Sequence, residues 1–130
     1  MAIFLGRHLL RGSSNLQSLI ALSVGEAEYY AATSGAQYGM SMRSLLEEWG
    51  IDMQLRLKTD SSVANSLSQR LGVGKMKHMQ TRFLWLQQAV QWGQLIIVPV
   101  PTKLNYADIY TKAVPAKQME KFMKEMGCIP

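Results

Sequence analysis

The stretch Ala21-Leu22-Ser23-Val24-Gly25-Glu26-Ala27-Glu28-Tyr29-Tyr30-Ala31-Ala32 decides how this chain is read. Ser23 followed three residues later by Glu26 is a Ser-x-x-Glu capping box, in which the hydroxyl and the carboxylate satisfy orphan backbone donors reciprocally. The spacing predicts a helix that starts at Val24. Ala27, Tyr30, Ala31, Ser34, Tyr38, Met42, Leu45 and Leu46 recur at three- and four-residue intervals and carry it to about Trp49, with Gly50 as the closing residue.

Towards the amino end, Ile3 to Leu10 and Leu16 to Leu22 are apolar stretches separated by Arg11-Gly12-Ser13-Ser14-Asn15, and they read as a β-hairpin turning at those polar residues. Towards the carboxyl end, Met53, Leu55, Leu57 and Thr59 alternate with Gln54, Arg56 and Lys58, the two-residue period of a half-buried strand ending at Asp60. Ser61 to Arg70 suits a short helix broken by Gly72 and Gly74. Thr81 to Gln91 is a further helical pattern, and Leu95-Ile96-Ile97-Val98 reads as a buried strand stopped by Pro99 and Pro101. Asn105 is placed to cap a turn of helix containing Asp108. Pro115 opens a last helix, with Met119, Phe122, Met123 and Met126 at helical spacing. Hairpin followed by alternating helices and strands implies an α/β fold built on a mixed sheet flanked by helices. No repeat or linker divides residues 1–130, so one domain is expected, with residues 115–130 as its C-terminal helix and tail.

Bulk composition narrows the class further. The 130 residues are 48% hydrophobic and 18% charged, the balance of a globular protein rather than a disordered one. No run of 18 apolar residues is present to span a bilayer, and the N-terminal segment lacks the basic leader and long apolar core of a secretory signal. A single cysteine, Cys128, excludes an intramolecular disulfide and a cysteine-based zinc cluster. An intracellular, non-secreted setting is the expectation. The formal charge of +5 favours a polyanionic partner. Nine methionines suit adaptable core filling, and Trp49, Trp85 and Trp92 read as packing residues rather than base-stacking platforms.

Acids are scarce enough for each to be located, with Asp only at 52, 60 and 108. Asp60 follows a strand end, which suits either a helix N-cap or a ligand position at the carboxyl edge of an α/β sheet. Glu28 lies in the first two turns of the long helix, where any carboxylate is stabilised by the helix dipole. Asp108 sits early in its own short helix. Two divalent ions about 4 Å apart stabilise the attacking and leaving oxygens of a phosphodiester displacement, and hard cations are held by carboxylate oxygens. Three acids on three elements would supply part of such a site if the fold brought them together, and no short ligand motif links them in sequence.

Four ordered segments resemble the ribonuclease H domain of copia-type retrotransposon polyproteins. The Ala21 to Ala32 stretch is similar to the family's Leu-Ser-x-x-Glu-Ala-Glu-Tyr segment. Lys58-Thr59-Asp60-Ser61-Ser62-Val63-Ala64 is similar to its strand-end Asp segment, and Lys77-His78-Met79-Gln80-Thr81-Arg82 to its Lys-His-x-Asp-x-Arg segment. Tyr106-Ala107-Asp108-Ile109-Tyr110-Thr111-Lys112 is similar to its Ala-Asp-x-x-Thr-Lys segment. The resemblance implies a ribonuclease H-like mixed sheet and hydrolysis of the RNA strand of RNA–DNA hybrids with two Mg²⁺ or Mn²⁺ ions. It implies Glu28, Asp60 and Asp108 as catalytic metal ligands and Glu26 as the cap. His78 becomes either a loop residue assisting proton or product movement or a plain surface histidine. Lys75, Lys77, Arg82 and Lys103 flank the site in sequence and become candidate phosphate contacts. The implied partners are the hybrid and the reverse transcriptase portion of the polyprotein.

The chain departs from the family pattern at two points. The family's first metal-bridging Asp lies on a central strand before the hairpin, whereas no acid here precedes Glu26, so the domain is expected to lack that first strand. Gln80 stands where the family commonly carries Asp. Impaired activity is therefore expected of these 130 residues. The alternatives are an inactive remnant that binds nucleic acid, or a module that takes up a partner strand, in a homodimer for instance, along an exposed sheet edge.

Overall fold

The computed structural model describes residues 1–15, 20–21, 23–59, 65, 81–101 and 104–129, with the backbone alone for 81–83. It is mixed α/β and divides into two compact units. One joins residues 1–16 to 103–130, and the other spans 17–102.

In the first unit, β1 (Ala2–Leu5) and β2 (His8–Gly12) form an antiparallel hairpin in which Leu5 pairs with His8. The turn is therefore Gly6-Arg7, and the expected turn at residues 11–15 is corrected. A two-residue hairpin loop requires positive φ at a central position, and Gly6 supplies it at φ 60°. Reading Ile3 to Leu10 as one apolar stretch passed over that glycine. Of the expected second strand, Ile20 and Ala21 are described and neither is in a strand, while 16–19 and 22 lie outside the described residues. A bulge between Ile3 and Phe4 sets Phe4 opposite Leu9. The unit is completed by a 3-10 turn at Tyr106–Tyr110 and by a helix at Ala116–Glu125, here α3, which begins one residue after Pro115. Phe122 of α3 and Met126, its C-cap, are fully buried, while Met119 faces solvent.

In the second unit, α1 (Val24–Glu48) begins as the capping box requires, the Glu26 N–H donating to Ser23 Oγ at 3.1 Å. Its end is a Schellman closure. Gly50, at φ 77°, donates to the Glu47 carbonyl, and Ile51 donates to that of Leu46. The strands β3 (Leu55–Thr59) and β4 (Leu95–Pro99) pair in parallel, in register from Leu55 opposite Leu95 to Thr59 opposite Pro99. Pro99 has no N–H to donate and occupies the last position, and the next donor, Val100 N–H, reaches the Thr59 carbonyl at 3.0 Å. The helix at Thr81–Gln91, here α2, has the bounds its periodicity predicts and lies within the crossover that a parallel pair needs.

The core of this unit gathers Tyr29, Tyr30, Ala36, Leu86, Ala89, Leu95 and Ile97. Fully burying a Leu such as Leu86 or Leu95 stabilises by roughly 1.5–3 kcal/mol. Arg43 ties α1 to the segment before β4 by donating to the Gln94 carbonyl at 2.9 Å. One expectation needs revision here: β4 is not buried on both faces, because Ile96 is exposed while Leu95 and Ile97 are covered. The packing role expected of Trp49 and Trp92 also fails, since these side chains are 70% and 66% exposed.

Among the described residues the strands form two separate two-stranded sheets rather than one mixed sheet. Of the expected helix at 61–70, Asn65 alone is described, and it is helical. No described helix is long and apolar enough to cross a membrane.

Candidate metal centre

Two residues apart on a helix is a rotation of roughly 200°, so Glu26 and Glu28 face nearly opposite sides of α1. Glu26 is buried at 1% exposure within the unit, and the Tyr30 hydroxyl, one turn further on, donates to its Oε1. A carboxylate taken out of water needs such donors to offset its lost hydration. Glu28, on the opposite side, is an exposed residue. The local chemistry therefore separates a buried, structural carboxylate from an accessible one.

Asp60 lies outside the described residues. Thr59, directly before it, is the last residue of β3.

Asp108 is held in the other unit by an interlocking set of contacts. Its turn is pinned by flanking aromatics. Tyr106 packs on Phe4 of β1 with ring centroids 5.8 Å apart and edge-on to Phe122 of α3 at 5.2 Å. Two residues after Asp108, the Tyr110 ring lies so close to Gly12 that a Cβ there would fall 2.1 Å from the tyrosine oxygen. Burial, with Glu125 adding to it, raises the Tyr106 hydroxyl above its usual range. Between these anchors Asp108 is 5% exposed. Asn105 caps the turn, its Oδ1 accepting from Ala107 N–H at 3.2 Å, and its Nδ2 donates to Asp108 Oδ1 at 3.0 Å. Asp108 Oδ2 meets the Lys112 ammonium at 2.6 Å. The Asp108 backbone carbonyl accepts from the N–H groups of Thr111 and Lys112, each at 3.0 Å.

Asn105 and Lys112 are thus the residues that govern the Asp108 carboxylate. The i,i+4 spacing of Asp108 and Lys112 was the available signal for the ion pair. Glu26 and Tyr30 share that spacing. Sequence reading assigned neither partner.

Glu28 and Asp108 present carboxylate oxygens, the donor type that suits Mg²⁺ and Mn²⁺. They fall in different units. Among the described residues no three His, Cys, Asp or Glu side chains cluster as a metal-binding group. His78, Lys75, Lys77 and Lys103 lie outside the described residues, and Arg82 is described only as a backbone position in α2.

Curated proteins similar to this chain include retrotransposon polyproteins of two plants. The retrovirus-related Pol polyprotein from transposon TNT 1-94 of Nicotiana tabacum is 33% identical over 116 residues, 88% of this chain and 9% of that protein. Those from transposons RE2 and RE1 of Arabidopsis thaliana are each 28% identical, over 98% and 96% of this chain and 9% of their own lengths. The chain thus corresponds to a small region of retrotransposon Pol polyproteins. No protein-family profile matches the chain, and no solved structure matches it.

Proposed function

From its similarity to retrotransposon Pol polyproteins, we propose that this chain is the ribonuclease H-type region of such a polyprotein, with a ribonuclease H-like fold. In this reading it hydrolyses the RNA strand of an RNA–DNA hybrid. The observation that carries the reading is the set of four ordered motifs, three of which hold the acids Glu28, Asp60 and Asp108. Similarity over nearly the whole chain to Pol polyproteins supports it.

The three carboxylates are the ligands for Mg²⁺ or Mn²⁺, and Asp108, which already accepts a cationic group at 2.6 Å, suits positive charge at that point. Divalent ions held there would supply charge stabilisation to the attacking and leaving oxygens of the scissile phosphodiester. Glu28 contributes its carboxylate from an exposed position on α1. Asn105 fixes the orientation of the Asp108 carboxylate by donating from its Nδ2 to Asp108 Oδ1. His78 assists proton or product movement, and Lys75, Lys77, Arg82 and Lys103 contact phosphates, adding affinity that falls with salt. Recognition relies on the shape of the hybrid and the ribose 2′-hydroxyl, because an A-like duplex hides its base edges.

A second reading rests on Gln80, which stands where the resemblance expects Asp. The stretch then binds hybrid without completing the reaction. Cleavage of an end-labelled hybrid with Mg²⁺ or Mn²⁺ tests both. The first reading predicts slow, metal-dependent cutting of the RNA strand that falls on the order of a hundredfold in Glu28→Gln and in Asp60→Asn. Cutting that ignores these substitutions removes them from the mechanism. Salt-sensitive binding with no turnover supports the second reading.

A further inference from the structure

We propose that Lys112 is the resident counter-cation of Asp108, a positioning residue that holds the carboxylate in the absence of a divalent ion and releases it when one binds. The inference rests on the reading of Asp108 as a metal ligand and adds the means by which that ligand is kept ready.

The two partners of the carboxylate differ in how firmly they are fixed. Asn105 is anchored at both ends of its amide: Oδ1 caps the turn at Ala107 while Nδ2 serves Asp108 Oδ1. Lys112 reaches Oδ2 on a long flexible stem, and its side chain is 52% exposed against 8% for that of Asp108. Its ammonium therefore has far more access to water than the carboxylate does. A nearly buried carboxylate left without a positive or hydrogen-bonding partner is strongly disfavoured, so exchange of one cation for another is the economical route to binding. The turn survives the exchange. Its backbone bonds, from Thr111 N–H and Lys112 N–H to the Asp108 carbonyl, and the Asn105 cap do not involve the ammonium.

Competition makes a prediction opposite to that of a supporting contact. Lys112→Gln, which removes the charge but keeps a polar side chain, tightens Mn²⁺ binding to the chain by roughly two- to fivefold, the scale of an ion pair with one exposed partner. Lys112→Arg retains the charge and stays within about twofold of the parent, by the same reasoning. Asp108→Asn abolishes the Asp108-dependent part of binding. Mn²⁺ titration followed by electron paramagnetic resonance reads all three directly, and the Mn²⁺-induced rise in melting temperature provides a second readout. Unchanged or weaker Mn²⁺ binding in Lys112→Gln, with Asp108→Asn still disruptive, overturns the counter-cation role and leaves the metal-ligand reading standing. Mn²⁺ binding that is indifferent to Asp108→Asn overturns both.

Discussion

Glu26 and Glu28 carry the same functional group two positions apart and meet opposite environments. Sequence reading took Glu26 as the cap and Glu28 as the functional acid. In the structure the Glu26 N–H donates to Ser23 Oγ, while its carboxylate is enclosed and bonded by the Tyr30 hydroxyl. Tyr30→Phe removes that donor from a buried acceptor and is expected to lower unfolding stability by about 1–3 kcal/mol in urea denaturation, whereas Glu28→Gln, at an exposed site, stays within about 0.5 kcal/mol. Loss of stability in Glu28→Gln comparable to that of Tyr30→Phe would count against the division of roles. Tyr29 makes a separate statement about pH. Burial pushes its hydroxyl up to about 12, with the Gln87 side chain opposing. The folded state therefore holds this proton more tightly than the unfolded chain does. The corresponding stability is intact below pH ~10 and is lost as pH climbs from about 10 through about 12. Tyr29→Phe is expected to flatten the fall of the denaturation midpoint across that window. An unchanged fall would assign the alkaline sensitivity elsewhere.

At the scale of elements, strong periodicity and chemical punctuation were legible, and weak punctuation was not. The bounds of α2, the start of α1 at its capping box, the Gly50 closure and the Asn105 cap all follow from local chemistry that operates without tertiary help. The hairpin turn did not, because Gly6-Arg7 interrupts an apolar stretch and competes with the more conspicuous polar run at 11–15. That run's Gly12 serves another purpose. It ends β2 beneath Tyr110 and leaves the ring the space that a side chain would fill. Gly12→Val is expected to displace Tyr110 and loosen the turn that holds Asp108, costing about 1–3 kcal/mol as an overpacked contact does. The check is the melting temperature together with the fluorescence of the tyrosines. A variant as stable as the parent would show that Tyr110 does not depend on this contact. Ile96 was misjudged for a comparable reason: an apolar run of four has no period by which to tell one covered face from two.

For the molecule as a whole, the mixed α/β class was legible from the order of elements, while the separation of the strands among the described residues into two small sheets was not. Strand pairing depends on contacts distant in sequence, and periodicity within each strand does not specify its neighbours. The candidate acids were found only because three of them lie within extended motifs, since no short ligand spacing links Glu28, Asp60 and Asp108. Their partners, Tyr30 for the neighbouring Glu26 and Lys112 for Asp108, became evident only from the fold. A chain corresponding to 9% of the polyproteins it resembles is best examined for what its own residues bind. The central proposal is that Glu28, Asp60 and Asp108 are ligands for divalent cations. The most direct test is paramagnetic broadening of backbone amide resonances by substoichiometric Mn²⁺. The account predicts that the signals of Glu28, Asp60 and Asp108 and their immediate neighbours broaden in parallel over the same titration and recover together in Asp108→Asn. Broadening confined to one of the three, or centred instead on the acidic pair Glu47 and Glu48, would contradict it.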